Sequence, residues 1–300
     1  MALPSEARPL DTGVIHDIGY RGYTGPRLGR AYATRALFTQ SLRAAYGLGR
    51  SGRSKVLPML LLGVVTAPAA IMVALALAQH QDELPVDYPE YLEMLGLLVS
   101  IFLASQAPVL LSRDLRHHTV PLYFSRPITR ADYVRAKFAA MACAQLLLML
   151  APLLVLYAGA LLGGLDFAHN TAHFLYGLVT AVLYALVPTA VALVIAAATP
   201  RRGFGVAAIM GYLAISTAVV GVVVGIGGGA SGQVPDSAQW VALLSPDQLV
   251  ESLVNQLFDL GAGPDRMHAP GVLGVVAFAA TAVAMVAGSY ALLLRRYRNI

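Results

Sequence analysis

Six stretches of this chain, at about residues 56–79, 93–112, 137–162, 173–199, 204–228 and 271–294, carry no Asp, Glu, Lys, Arg or His away from their ends. Each is close to the roughly 20 residues that a helix rising about 1.5 Å per residue needs to cross about 30 Å of hydrocarbon. Composition agrees: the chain is 57% hydrophobic and only 12% charged, against about a quarter charged in soluble domains. The expected fold class is therefore an all-α membrane protein with six transmembrane helices. Pro58, Pro68, Pro108, Pro152 and Pro188 fall inside these stretches, so kinks are expected, with neighbouring helices re-satisfying the freed carbonyls.

The charges that remain sort by side. Nine Lys and Arg precede the first span, six lie in 113–137, two at Arg201 and Arg202, and three in the tail at Arg295, Arg296 and Arg298, leaving Arg266 alone across the membrane. Eleven of the 16 acids lie on the side of Arg266. Lys and Arg in short loops mark the cytoplasmic side, so both termini are expected there, with an even number of spans.

Residues 1–55 are polar and basic without the apolar core of a signal peptide, so the first span is expected to act as the insertion signal. Residues 1–26 read as an irregular arm. From Leu28 to Tyr46 apolar residues recur at Ala31, Phe38, Leu42 and Ala45 while Arg30, Gln40 and Arg43 fall elsewhere, the pattern of an amphipathic helix lying in the headgroup layer. Gly47, Gly49 and Gly52 then turn the chain into the membrane. The segment 229–270 faces the other side. There Ser245, Pro246 and Gln248 have the form of a capping box with proline at the first helical position, and Leu249, Val250, Leu253, Leu257 and Leu260 follow at helical spacing. Such a helix either dips into the membrane edge, caps a cavity or packs as a small lid.

The densest charge lies at 112–137, where six bases and two acids sit between two apolar runs. A short amphipathic helix is expected from Ser112, then a break at Arg126 and Pro127. Thr129 with Asp132 three residues on has capping-box form and sets the start of the next long helix.

Several chemistries are excluded or disfavoured. The spans hold no buried acid, base or histidine to serve as a proton or ion relay. The only lysines are Lys55, after Ser54, and Lys137, after Ala136, so no phosphate-binding loop with a Gly-Lys pair exists. A Ser-His-Asp hydrolase lacks its intramembrane acid and base, so no catalytic residue is assigned. The single Cys143 permits no internal disulfide and reads as a small packed hydrophobe. His169 and His173 stand one helical turn apart at the outer end of the fourth span, a spacing compatible with metal. Without a third ligand they read as interfacial histidines, and no metal site is assigned. His117 and His118 read as solvated. The basic face is explained by anionic lipid, without nucleic acid.

Uncharged polar residues do occur within the spans: Ser100, Ser105, Gln106, Gln145, Tyr157, Tyr184, Tyr212, Ser216 and Thr217. Interhelical hydrogen bonding, of order 1 kcal/mol each, is one reading. The other is a path for an amphiphile, with Ser105, Gln106, Gln145, Tyr212, Ser216 and Thr217 as candidates. Gly221, Gly225 and Gly229 at four-residue steps suit close helix packing, including against a second protomer.

Residues 112–137 resemble the segment joining the second and third spans in the permease subunits of ABC-2 type bacterial exporters. The resemblance rests on Asp114, on Ser125, Pro127, Ile128, Thr129 and Arg130 as a Ser-x-Pro-Ile-Ser/Thr-Arg element, and on Lys137 at the entry to the next span. The six-span plan, the basic interfacial helix and Leu244-Ser245-Pro246 before the last span also fit. His118 and Ala136 stand where the family usually has glycine. The resemblance implies that 113–124 form a coupling helix docking into a separate ATP-binding cassette subunit, which would hold ATP and Mg. Arg113, Asp114 and Arg116 would make charged contacts, with Leu115, Leu122 and Tyr123 as apolar anchors and Thr119 and Arg126 beside them. It further implies a bacterial plasma-membrane permease, paired with a second copy or paralogue, exporting an amphiphilic or hydrophobic substrate. A stand-alone channel or secondary carrier, and a non-transporting anchor or regulator, are the alternatives.

Overall fold

In the computed structural model, residues 25, 28–81, 83–116, 119–125, 127–228, 235–260 and 267–298 are described. Arg126, Gly229, Arg266 and the pair His117 and His118 lie outside the described residues. Among the described residues the regular structure is entirely helical.

Six helices are long and apolar enough to cross a membrane. They are α2 (Gly52–Ala78), α4 (Gly96–Leu110) as it runs on to Arg116, α7 (Arg130–Leu162), α8 (Phe167–Ala198), α9 (Arg202–Gly228) and α12 (Gly271–Arg298). Between and before them lie α1 (Arg30–Ala45), α3 (Tyr88–Met94), α5 (Ser112–Arg116), α6 (Val120–Phe124), α10 (Asp236–Gln239) and α11 (Pro246–Phe258). The core is built around α7, α8 and α4, which carry the fully buried Phe102, Leu103, Met141, Leu148 and Leu193. On α2, α9 and α12 large apolar residues such as Ile71, Ile215, Ile226, Val272 and Val283 stay exposed. In hydrocarbon that exposure carries no hydrophobic penalty, because lipid tails are as apolar as the side chains.

Two elements begin earlier than the apolar runs alone indicate. The third span starts at Arg130 because Thr129 caps it: its hydroxyl accepts from the Asp132 N–H, and the Asp132 carboxylate accepts from the Thr129 N–H at 3.0 Å. The fourth starts at Phe167 because the Asp166 carboxylate accepts the His169 N–H at 2.7 Å. His169 and His173 therefore lie within the first two turns of α8.

The first helix, α1, packs on the bundle. Leu37, Ser41 and Ala45 on one face are buried against the bundle, and Ala31 is exposed. The Tyr46 hydroxyl donates to the Ala144 carbonyl of α7 at 2.7 Å, and the Arg30 guanidinium reaches Asp132 at 2.9 Å. Gly47 makes the turn into α2 with φ +67°, where a Cβ would stand 2.4 Å from the Ser54 carbonyl oxygen, so only glycine fits there.

The spans alternate, and the charges separate with them. One end gathers α1, α5, α6, the turn before α9 and the end of α12: Arg43, Arg50 and Arg113 line one groove, and Arg130 and Arg298 another. The opposite end carries α3, the start of α8 and α11, with Asp87, Glu93, Asp166, Asp247 and Glu251. The first is the basic end and the second the acidic end.

Candidate functional site

At the basic end the chain between α4 and α7 is fastened from below rather than loosely solvated. Among the described residues it forms two single turns, α5 and α6, and Thr119 before α6 belongs to neither. Pro121 stands in the first turn of α6, where its missing N–H leaves no helical bond unmade. The Ser112 hydroxyl donates to the Ala196 carbonyl of α8 at 2.9 Å. One residue pair along, the Asp114 carboxylate meets the Lys137 ammonium at 2.7 Å and accepts from the Tyr133 hydroxyl at 3.0 Å. All three residues are buried. Tyr133 and Lys137 are four apart on α7, so one helical face presents both to the connector. The rings of Tyr123 and Phe124 pack on Tyr133 at 5.6 and 6.0 Å, and Tyr297 of α12 covers it at 5.0 Å. Lys137 sits 5.5 Å from the Tyr133 ring, an added cation–π contribution.

The structure places the Asp114 carboxylate inward as the counter-ion of Lys137, where a buried ammonium without an anion would be far costlier. Leu115 and Tyr123 are likewise only half-exposed and packed against the core. The outward face consists of Arg113, Arg116, Pro121 and Leu122, the last 67% exposed. Thr119 closes the turn by donating both its N–H and its hydroxyl to the Asp114 carbonyl, at 3.1 and 3.2 Å. Beside this face runs a groove of about 740 Å³ lined by Tyr32, Arg35, Arg43, Arg50 and Arg113. Burial and the neighbouring Arg113 and Arg202 hold Arg50 below its usual value, the mark of a surface crowded with like charge.

Towards the acidic end a cavity of about 410 Å³ opens between α4, α8, α9 and α11. Its wall joins apolar Leu97, Met210 and Leu213 to Ser100, Tyr184 and Thr217, and it holds Glu93, Asp247 and Glu251. Asp247 and Glu251 are four apart and project from one face of α11. Burial pushes the Asp247 carboxyl up to about 6, opposed by a hydrogen bond from Ser100. No such charge lies within a span by sequence; α3 and α11 bring these acids to the mouth of the bundle.

Of the six residues expected along a path, Thr217 lines this cavity. Gln145 is taken up by structure: its amide donates to the Tyr184 carbonyl at 3.2 Å and its oxygen accepts from the Thr189 hydroxyl at 3.1 Å. Ser105 donates to the Phe102 carbonyl and accepts from Gln106, both residues being buried. Ser216 donates to the Leu213 carbonyl, and Tyr212 is half-buried. Glu93, Asp247 and Glu251 were missed as cavity residues. The i, i+4 pair on α11 was the available signal. The Ser245 capping box is also corrected: Ser245 is the N-cap, but its hydroxyl lies 3.3 Å from Thr217 and Gln248 donates to Glu251 at 2.7 Å. Gly221 and Gly225 are exposed, with open space where a Cβ would stand.

A bundle of six spans with a fastened connector at its basic end and a polar cavity near the other defines a multi-pass membrane protein of the permease class. The family model of ABC-2 family transporter proteins matches residues 59–297, and the chain belongs to that family, the membrane permeases of ATP-binding cassette transporters. ATP hydrolysis in this family resides normally in a separate subunit. No curated protein matches the chain.

Proposed function

We propose that this chain is the permease subunit of an ATP-driven exporter in which closure of a separate ATP-binding cassette subunit is delivered through α5 and α6. The observation that carries this reading is the buried Asp114–Lys137 pair, with Tyr133, beneath an exposed face of Arg113, Arg116 and Leu122. A surface element fastened to two spans passes a push on to them, whereas a slack loop would absorb it. The basic groove along α1 favours an acidic partner surface beside it. The basic end faces the cytoplasm by the positive-inside rule, and both termini lie there.

Cargo would enter the cavity between α4, α9 and α11. Its apolar wall with three carboxylates favours an amphiphile whose head is neutral or positively charged. The exposed small-residue face of α9 at Gly221 and Gly225 supports pairing with a second permease, so that two such cavities face one path.

The test is recovery of the ATPase subunit with the full-length chain from native membrane by gentle detergent extraction. Arg113→Glu combined with Leu122→Asp alters two exposed side chains and leaves the buried pair intact. Loss of the ATPase, with the permease still monodisperse, is the expected result. Undiminished recovery would remove the docking site from α5 and α6. Flux by the purified chain alone in vesicles would establish the stand-alone channel or carrier instead.

A further inference from the structure

At the acidic end the fold brings Asp87 beside His169 and His173, more than eighty positions along the chain. His169 and His173 lie on successive turns of α8, and Asp87 immediately precedes α3. Their ligand atoms all lie within 4.8 Å of one another. The His173 Nδ1 and Asp87 Oδ1 are 3.0 Å apart, and the two imidazole rings stand at 4.0 Å with 30° between their planes. We propose that Asp87, His169 and His173 form a binding site for a divalent transition metal of the zinc class, clamping α3 to α8.

The donor set argues for this class of ion. Two imidazole nitrogens and one carboxylate oxygen suit Zn²⁺ and its neighbours, whereas Ca²⁺ and Mg²⁺ require oxygen throughout. With metal–ligand bonds of about 2.0–2.2 Å, the edges of a tetrahedron are a little over 3 Å, close to the Asp87–His173 separation. Three protein ligands leave one position for water. His169 is exposed and the other two are half-buried, so an ion reaches the site from solvent.

The surroundings hold the ligands in place without a metal. Asp87 occupies the N-cap position of α3, yet its side chain makes no capping bond and points to His173 instead. The next residue, Tyr88, is buried and donates its hydroxyl to the Asn170 side chain at 3.1 Å. Gly177, one turn beyond His173 on α8, lets the Tyr88 side chain approach so closely that a Cβ would stand 2.7 Å away. On the other side the Asp166 carboxylate fixes the His169 backbone. Both chains carrying ligands are thus anchored within a residue or a turn of them, which lowers the ordering cost of binding.

The clamp has a consequence for the cavity. Glu93 at the end of α3 and Tyr184 further along α8 both line it. An ion joining the starts of these two helices would stiffen one wall. This effect rests on the permease reading; binding of the ion does not.

Binding is tested with the untagged full-length chain in detergent, using Zn²⁺ and, as a spectroscopic probe, Co²⁺. One equivalent of Zn²⁺ per chain with saturable binding is expected, together with visible Co²⁺ absorption that Zn²⁺ abolishes. His169→Ala, His173→Ala and Asp87→Asn should each weaken binding by about tenfold or more, while His268→Ala leaves it unchanged. Because Asp87→Asn keeps the size and hydrogen bonding of the side chain, a folded variant is available even if the histidine changes disturb α8. Failure of the wild-type chain to bind one equivalent, or unaltered affinity in His169→Ala with His173→Ala, would overturn the site. ATP-driven transport by the chain reassembled with its co-purified ATPase subunit, with and without Zn²⁺, is a separate arm: absence of flux under both conditions speaks against the permease reading alone.

Discussion

The two ends of the bundle treat buried charge in opposite ways. At the basic end Asp114 is neutralised by Lys137 at 2.7 Å. Asp132, closing the α7 cap, meets the Arg30 guanidinium at 2.9 Å. At the acidic end Asp247 is met by the hydroxyl of Ser100, and burial raises its carboxyl to about 6. A paired buried charge holds helices in one arrangement, since separating the partners exposes each to a low dielectric. A carboxyl supported only by a hydroxyl can change its charge without losing a partner. The difference teaches that one end holds its helices in a fixed arrangement while the other can change its charge.

The comparison breaks most easily at Lys137. Lys137→Met leaves the Asp114 carboxylate buried without a cation and should cost about 3–5 kcal/mol. Thermal unfolding in detergent, followed by size-exclusion fluorescence, measures it. Adding Asp114→Leu to that variant should recover most of the loss, because replacing both members of a buried pair with apolar groups is often close to neutral. A single-variant loss below about 1 kcal/mol would mean that water reaches the pair and that the connector is looser than its packing implies.

A smaller contrast lies between two helix starts. Thr129 at the basic end caps α7 with its hydroxyl, and Thr129→Ala should cost about 1 kcal/mol. Ser245 at the acidic end holds the same position before α11 but makes no capping bond, so Ser245→Ala should cost well under half of that. Equal losses by thermal unfolding would show that the two ends do not differ in local rigidity.

These helix starts also show what could be read from residues alone. The six spans were legible because an uncharged run of about 20 residues has few other uses, and Thr129 with Asp132 was legible because the cap closes within four residues. Ser245 carried the same pattern, but a tertiary contact with Thr217 competes with the local bond, and only the packed helices decide between them. The Asp114–Lys137 pair was hidden for a related reason. Asp114 read as a contact for a partner and Lys137 as the entry to the next span, and although the Thr129 cap puts Tyr133 and Lys137 on one helical face, nothing in the sequence shows that the connector folds back onto that face. Asp87 was out of reach altogether: nothing near it in sequence signals that α3 folds back on the first turns of α8. Local chemistry was thus readable, and pairings across many tens of residues were not.

The smallest expected effect gives the sharpest comparison, because it distinguishes the ends by pH. The folded chain holds the Asp247 proton up to about pH 6, whereas the unfolded chain releases it near the ordinary value of about 3.9. Between those values the folded state binds more protons, so stability is greatest below about pH 4 and falls as pH rises through about 6. Because part of the residue's area stays open to solvent, the effect is reduced to about 1 kcal/mol or less. Unfolding temperatures taken at steps from pH 4.5 to 7.5 should decline in the wild-type chain and flatten in Asp247→Asn, while Lys137→Met with Asp114→Leu keeps the wild-type slope. If cargo carries a positive head, its apparent affinity should rise over the same interval, as Asp247 gains its charge, and this rise should vanish in Asp247→Asn. A slope that survives Asp247→Asn would assign the titration to another group and leave both ends of the bundle electrostatically fixed.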